Sequence, residues 1–523
     1  MYLFAGQQRC GVVGLQNRII YPERWKHFLA ENLRLKRNVL SSAAYKIAAL
    51  VCSFILPRMI LQEYGSAQNG VVNSISQFLS VFGFLDLGVG AVVESSLYLP
   101  LVQRNIDKVS EIIAAANNFF RKLAIILCVY VVGLAIFYPS VVKEIMPPLG
   151  VASLVVAMSV NSFTQYYCGM VDRLLLSADQ RKYIADIINL ILLIINTVVG
   201  SLLIVAGLSI QAVQIAMAVI YLGRPILLRA YVKRHYEVNR KAPFTSNSIP
   251  QKWNGMSQHI SYTVLQNTDV VVLTLFSNME SVSIYTVYLL VINGIKSALD
   301  VITAGVSGRM GQLWAQNRTE DLNEFFRVLE WAIHMIATVL FSCVSVLIVP
   351  FVLVYTKNVY DADYNQVHFA MLLSAAYFVA ELRIPYNRMV KACGHYKETE
   401  RYYGVAAALN IVISVLAVHF YGLIGVTIGT FLAMLYQSVG LAVYCKKHLP
   451  AHNPNRWKLV VIDVSLFSII SILGRNVTLD ALNYFAWIKM GVLVFTATAL
   501  VVAILCVLCF RWELKRFLKI LRN

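Results

Sequence analysis

The sequence predicts an all-α integral membrane protein of about fourteen transmembrane helices. They are expected to form two pseudo-symmetric six-helix bundles around a central cavity, with a C-terminal helix pair added. Three observations predict this: a composition poor in charge, an alternation of basic loops, and an internal repeat.

Of the 523 residues, 58% are hydrophobic and only 14% charged, where an ordinary soluble domain carries about 25% charged residues. The mean hydropathy is +0.65. So few charges in so long a chain exclude a large soluble core. The net charge of +18 raises nucleic acid as a partner, but the charges lie at helix ends, where a membrane face explains them.

The nine cysteines fall mostly inside apolar runs, which excludes a disulfide framework or a zinc site. Cys506-Val-Leu-Cys509 is formally a CxxC pair, but within VVAILCVLCF it reads as helix packing. His259, His334 and His419 show no ligand spacing, so no metal site is expected.

Apolar runs place spans at 40–62, 66–98, 118–138, 148–170, 183–206, 209–232 and 255–277, then at 282–308, 328–355, 365–387, 403–420, 423–445, 459–474 and 486–510. The second is long enough to tilt or to run out of the membrane. The thirteenth is short and carries Asp463. Of the 45 lysines and arginines, only Lys143, Lys357, Arg475 and Lys489 fall on one side of the membrane. Lys46, Arg58, Lys296 and Arg383 remain within spans, and the rest gather in the segments and helix ends of the side that carries both chain ends. By the positive-inside rule both termini are expected in the cytoplasm. The first forty residues hold no apolar signal-peptide core, and LRLKRN (33–38) reads as the natural start of the membrane domain. The expected organisation is a basic cytoplasmic segment 1–38, a six-helix bundle 39–232, a cytoplasmic linker 233–254, a second bundle 255–445, added helices 446–510 and a basic cytoplasmic tail 511–523.

The repeat joins the two bundles. LLLSADQRKY (174–183) and AGLSIQAVQIA (206–216) answer MVKACGHYKE (389–398) and YGLIGVTIGT (421–430), so that Ala178 matches Ala392 and Gly207 matches Gly422. FLDLGVG (84–90) answers ALDVITAG (298–305), setting Asp86 opposite Asp300 at an offset of 214. NIDKVSEII (105–113) answers RTEDLNEFF (318–326) at an offset of 213. Six spans separate the copies, an even number, so both enter the membrane the same way and the pseudo-twofold axis runs along the membrane normal.

RLKRN before the first span, YGSAQNGVVNS (64–74), DLG (86–88), LQNTDVVVLTLF (265–276) and VSIYTVY (282–288) give the chain a resemblance over about residues 33–510. It resembles the polysaccharide-transporter (O-antigen flippase) family of the multidrug/oligosaccharidyl-lipid/polysaccharide exporter superfamily. It departs from that pattern at Leu273-Thr274, where a glycine often follows the seventh-span acid. The resemblance implies flipping of undecaprenyl-pyrophosphate-linked oligosaccharide across a bacterial cytoplasmic membrane, for capsule, O-antigen or exopolysaccharide. It implies no enzymatic activity and no cofactor, with drive from H+, Na+ or the membrane potential. The expected partners are the lipid-linked substrate, membrane lipid and the polymerase or glycosyltransferases of the same route.

Charged residues inside spans cost about 2.5–3.5 kcal/mol each on insertion scales, so each needs a reason. Asp86 and Glu94 lie about 80° apart around the second span and can face one hydrated cleft; Glu94 reads equally as a solvated helix end. Lys296 and Asp300, four residues apart, can neutralise one another or offer the lysine to a pyrophosphate. Glu381 and Arg383 precede Pro385, where a bend is expected, and Arg383 suits bidentate phosphate binding. Lys46 and Arg58, about 18 Å apart along the first span, either line the cavity or snorkel. Asp269 matches the family position near the midplane, or bonds Gln266 or Asn267. Gly422, Gly425 and Gly429 read as close packing.

Three other functions compete. A cation-coupled multidrug exporter shares the architecture but typically has twelve helices. A membrane-embedded polymerase or glycosyltransferase needs a catalytic loop outside the membrane, and the loops here are short. A scaffold would need no charges deep in the bundle.

Overall fold

The computed structural model describes residues 22–245, 256–303, 305–475 and 477–522. The described chain is helical, with no strand. Helix α1 (Pro22–Val81) carries the first span and the start of the second, broken at Gly65 (φ 81°). That backbone region suits glycine, and a Cβ there would sit 2.7 Å from the Asp361 carboxylate. The expected second span, 66–98, is interrupted again at Phe82-Gly83, and α2 (Phe84–Val102) completes it. Then come α3 (Ile106–Val141) and α4 (Pro148–Thr164), a π-helical turn over Gln165–Gly169, and α5 (Met170–Ala178). Helices α6 (Lys182–Val205) and α7 (Ile210–His235) close the N-terminal bundle.

The C-terminal bundle holds α8 (Met256–Phe276), α9 (Met279–Thr303), α10 (Val306–Ala315), α11 (Thr319–Tyr355), α12 (Val367–Leu382), α13 (Ile384–Cys393) and α14 (Tyr396–His448). Helix α14 is two spans joined at Gly422 (φ 50°). Gly207, its repeat partner between α6 and α7, also has positive φ (73°). The weak sequence repeat thus pairs two positive-φ glycines, each between consecutive spans. Gly425 and Gly429 are close-packing positions as expected, since a Cβ at either would lie 2.2 Å from Ala417 O or Ser414 Oγ, but Gly422 is not, as an added Cβ there would meet nothing within 4 Å.

Nine helices among the described residues are long and apolar enough to cross a membrane unaided. Of these, α14 carries two spans, and α1 carries the first and the start of the second, which α2 completes. The fourth, seventh and thirteenth spans, formed by α4–α5, α8 and α15, complete the fourteen.

The added pair, α15 (Arg456–Leu473) and α16 (Tyr484–Cys509), packs on α11, and the basic tail forms α17 (Arg511–Arg522). Asp463 explains why so short a span holds. It is fully buried and accepts hydrogen bonds from Thr338 Oγ1 and His334 Nδ1, each at 2.6 Å. Glu513 of α17 is likewise buried and takes Arg327 of α11 at 2.7 Å. Cys506 and Cys509 are free thiols, in line with packing.

Part of the linker docks under the N-terminal bundle. Arg240 pairs with buried Asp172, and Tyr236 donates to Asp179. Burial first, then the Asp179 carboxylate, raise the Tyr236 hydroxyl above its ordinary pKa, so it stays a donor.

On the face away from the termini the bundles are zipped together. Asp361 accepts from both N and Oγ of Ser66 at 2.6 Å, Asn69 donates to Ser283 Oγ at 2.7 Å, and Ser74 meets Thr274 at 2.7 Å. Gly70 lies so close to Met279 that a Cβ would fall 2.0 Å from its carbonyl oxygen. Interhelical hydrogen bonds in membranes average about 0.6 kcal/mol, so this seam is only a few kcal/mol strong.

Candidate substrate site

The C-terminal bundle encloses a cavity of about 270 Å³ between α8, α9, α12–α13 and α14. Helical spacing builds it: Tyr262 and Gln266 share a face of α8, Lys296 and Asp300 a face of α9, and Asn387 and Lys391 a face of α13. The expected bend before Pro385 is present, because α12 ends at Leu382 and α13 starts at Ile384. Arg383 occupies the junction and lines the cavity with Glu381, Tyr377 and Arg388.

The cations here are poorly neutralised. Arg383 is only 7% exposed, and its Nη1 is buried without a hydrogen-bond partner. Neither Arg383 nor Lys296 has a carboxylate within ion-pair distance among the described residues. Lys296 instead donates to Gln266 Oε1 at 3.0 Å and sits 4.9 Å from the centroid of the Tyr377 ring. A guanidinium and an ammonium held this way in a bundle interior are set to receive an anion.

The expected Lys296–Asp300 pair is not formed. Asp300 is 66% exposed at its side chain and pairs with Arg388 at 3.1 Å. The four-residue spacing permits the contact, but Arg388 reaches Asp300 from α13 while Tyr377 and Gln266 hold Lys296. Arg388 and Lys391 lie just beyond the expected tenth span, 365–387, and composition alone does not single them out. What could have flagged them is their spacing of five and eight residues beyond Arg383 on a helix restarted by proline.

The other candidate residues lie elsewhere. Asp269 is outside the cavity and 3% exposed. Its partners are Tyr285 Oη, Thr430 Oγ1 at 2.5 Å and Asn410 Nδ2 at 3.2 Å, not Gln266 or Asn267. All three are neutral donors, and among the described residues no cation lies within ion-pair distance of the carboxylate. Lys46 lines a separate cavity in the N-terminal bundle. Arg58 donates to Tyr484 Oη and lies over the rings of Tyr484 and Tyr355, which ties α1 to the added pair. Glu94 is half-buried and accepts from Ser177 Oγ at 2.6 Å, so it is not a freely solvated helix end. The side chain of Asp86 lies outside the described residues. The in-span charges therefore divide among several sites rather than facing one cleft. Among the described residues no group of three or more His, Cys, Asp or Glu side chains is arranged to hold a metal ion.

No protein-family model matches the chain, and no curated protein matches it. Solved structures do. The structure described as "Lipid II flippase MurJ, inward closed conformation" superimposes with a TM-score of 0.64 at 13% identity, covering 89% of this chain and 98% of that one. An inward-facing multidrug resistance MATE family transporter of the MOP superfamily gives 0.59 at 13% identity, covering 83% and 99%. An outward-facing MATE family transporter gives 0.52 at 12% identity, covering 82% and 96%. The chain has the two-bundle fold of these flippase and transporter structures.

Proposed function

We propose that the protein is a flippase that moves a pyrophosphate-linked oligosaccharide lipid across a bacterial cytoplasmic membrane by alternating access. One observation supports this: the cavity presents Arg383, with an unpartnered buried Nη1, together with Lys296, and neither has a carboxylate within ion-pair distance among the described residues. Four cations of the lining, Lys296, Arg383, Arg388 and Lys391, outnumber its two carboxylates, Asp300 and Glu381, which favours a pyrophosphate over a cationic drug. At about 270 Å³ the cavity is below the roughly 300–1,000 Å³ of drug-sized sites. It suits a compact anionic group, with sugars and prenyl tail outside. The chain ends lie on the basic face, taken as cytoplasmic. The seam at Ser66–Asp361 then closes the outer side, and rocking of the bundles exchanges access. Asp269, buried and accepting hydrogen bonds from the Tyr285 and Thr430 hydroxyls and the Asn410 amide nitrogen, is the group through which H+ or Na+ would couple. Polymerases or glycosyltransferases would act before and after this step.

The test is a deletion strain. Lipid-linked oligosaccharide stranded on the inner leaflet, with unchanged dye sensitivity, supports the reading. Normal surface polysaccharide with heightened dye sensitivity would move the assignment to drug export.

A further inference from the structure

The N-terminal bundle holds a second cavity, of about 220 Å³, lined by residues of α1, α5, α6 and α7. Three of its positions map onto the first cavity through the internal repeat. Tyr45 and His259, Arg173 and Asn387, and Asn189 and Tyr403 line the two cavities at a constant separation of 214 residues. The two cavities are therefore related places in the two halves, and the chemistry at them has diverged.

The second is also cationic, through Lys46, Arg173, Lys182 and Arg224, with Asp186 the one carboxylate in its lining. That carboxylate is engaged, by Lys182 at 3.5 Å and by Ser42. Asp172, next to Arg173 in the chain, is engaged by Arg240. Arg173 and Arg224 are thus left without a carboxylate partner among the described residues. Arg224 donates to Gln165 Oε1 at 3.1 Å, and Arg173 reaches only Met170 Sδ at 3.2 Å. Gln165 opens the π-helical turn, a local irregularity frequent at functional sites. Two half-buried guanidiniums facing one small space repel each other, and an anion bridging them removes that cost.

We propose that this cavity is a second phosphate-recognising site, taking a phosphate or pyrophosphate group between Arg173 and Arg224 with Lys46 at its mouth. Its size excludes a whole lipid-linked oligosaccharide. The site stands on residues of the N-terminal bundle alone and does not depend on the substrate assigned to the first cavity.

The experiment uses the purified full-length protein in detergent, inorganic pyrophosphate as the probe, and native mass spectrometry with calorimetry to count and weigh binding. Wild type is expected to bind two equivalents. Arg383→Gln should keep the N-terminal equivalent, and Arg173→Gln with Arg224→Gln should lose it while keeping the other. Should the double glutamine variant fail to fold, Arg173→Lys with Arg224→Lys keeps the charge and loses the bidentate fork; its N-terminal affinity should fall at least tenfold. Competition by micelles containing phosphatidate assigns a lipid phosphate as the occupant, and its lack assigns a soluble one. An N-terminal equivalent undiminished in the arginine variants, or no pyrophosphate bound once Arg383 is replaced, overturns the proposal. A single wild-type equivalent, kept in Arg383→Gln and lost in the Arg173 and Arg224 variants, would support this site and count against the first cavity.

Discussion

Asp361, on the loop between α11 and α12, grips Ser66 through both its backbone N–H and its hydroxyl, each at 2.6 Å. Ser66 follows the left-handed Gly65, which turns the start of the second span toward that carboxylate. The residues involved belong to opposite bundles, so the contact closes the face away from the termini. Asp361→Ala is expected to loosen it. In a cysteine-free background, Ser283→Cys should then react several-fold faster with an impermeant maleimide added outside. Unchanged reactivity would deny the contact any role in closure.

Gly70 gives the converse test. With Met279 O only 2.0 Å from an added Cβ, Gly70→Leu cannot close the seam without backbone displacement. Transport should fall at least tenfold at normal protein level, with outside labelling raised. Full transport by this variant would show that the seam need not close.

Much of the fold could be read from the sequence because lipid imposes a strong rule: apolar stretches of fixed length, separated by loops whose basic residues alternate sides. Gly207 and Gly422 were paired by a faint repeat, and both adopt positive φ. Pro385 announced the break that presents Arg383. The cavity's partners were less legible, because spacing shows which residues share a helix face but not which neighbouring helix arrives there. Lys296 and Asp300 share a face, yet Arg388 from α13 takes Asp300 and Tyr377 from α12 covers Lys296. Arg173 follows the expected fourth span and Arg224 falls near the end of the sixth, in LGRPILL, with apolar residues close on both sides, as Arg383 has in ELRIPY; spacing alone does not bring the two arginines together.

The charge swap Lys296→Asp with Asp300→Lys separates these two arrangements. A structural pair would recover transport in the swapped protein. Since Lys296 and Asp300 have different partners, the swap is expected to remain inactive, while Asp300→Asn alone keeps most activity because Asp300 is exposed. Recovery by the swap, measured against Lys296→Ala at matched protein level, would contradict the assigned contacts.

Asp269→Asn preserves size but replaces an acceptor oxygen with a donor, facing Tyr285, Asn410 and Thr430. Transport in vesicles should lose its response to an imposed H+ or Na+ gradient. A mutant that responds like wild type to both gradients would remove Asp269 from the coupling role.

Asp463→Ala leaves buried His334 Nδ1 and Thr338 Oγ1 without their shared acceptor. An unsatisfied buried polar group costs about 1–3 kcal/mol. The melting temperature in detergent should fall measurably, as the added pair loosens from α11. No change in melting would mean that apolar packing alone holds the pair.

The most direct measurement follows a fluorescent polyprenyl-pyrophosphate oligosaccharide across the bilayer of proteoliposomes, reading the fraction open to a quencher added outside. Wild type is expected to equilibrate the probe between leaflets, and Arg383→Gln to lower the rate at least tenfold with the same amount of folded protein. A wild-type protein that leaves the probe where it was placed, or an Arg383→Gln variant that moves it as fast, would contradict the flippase assignment.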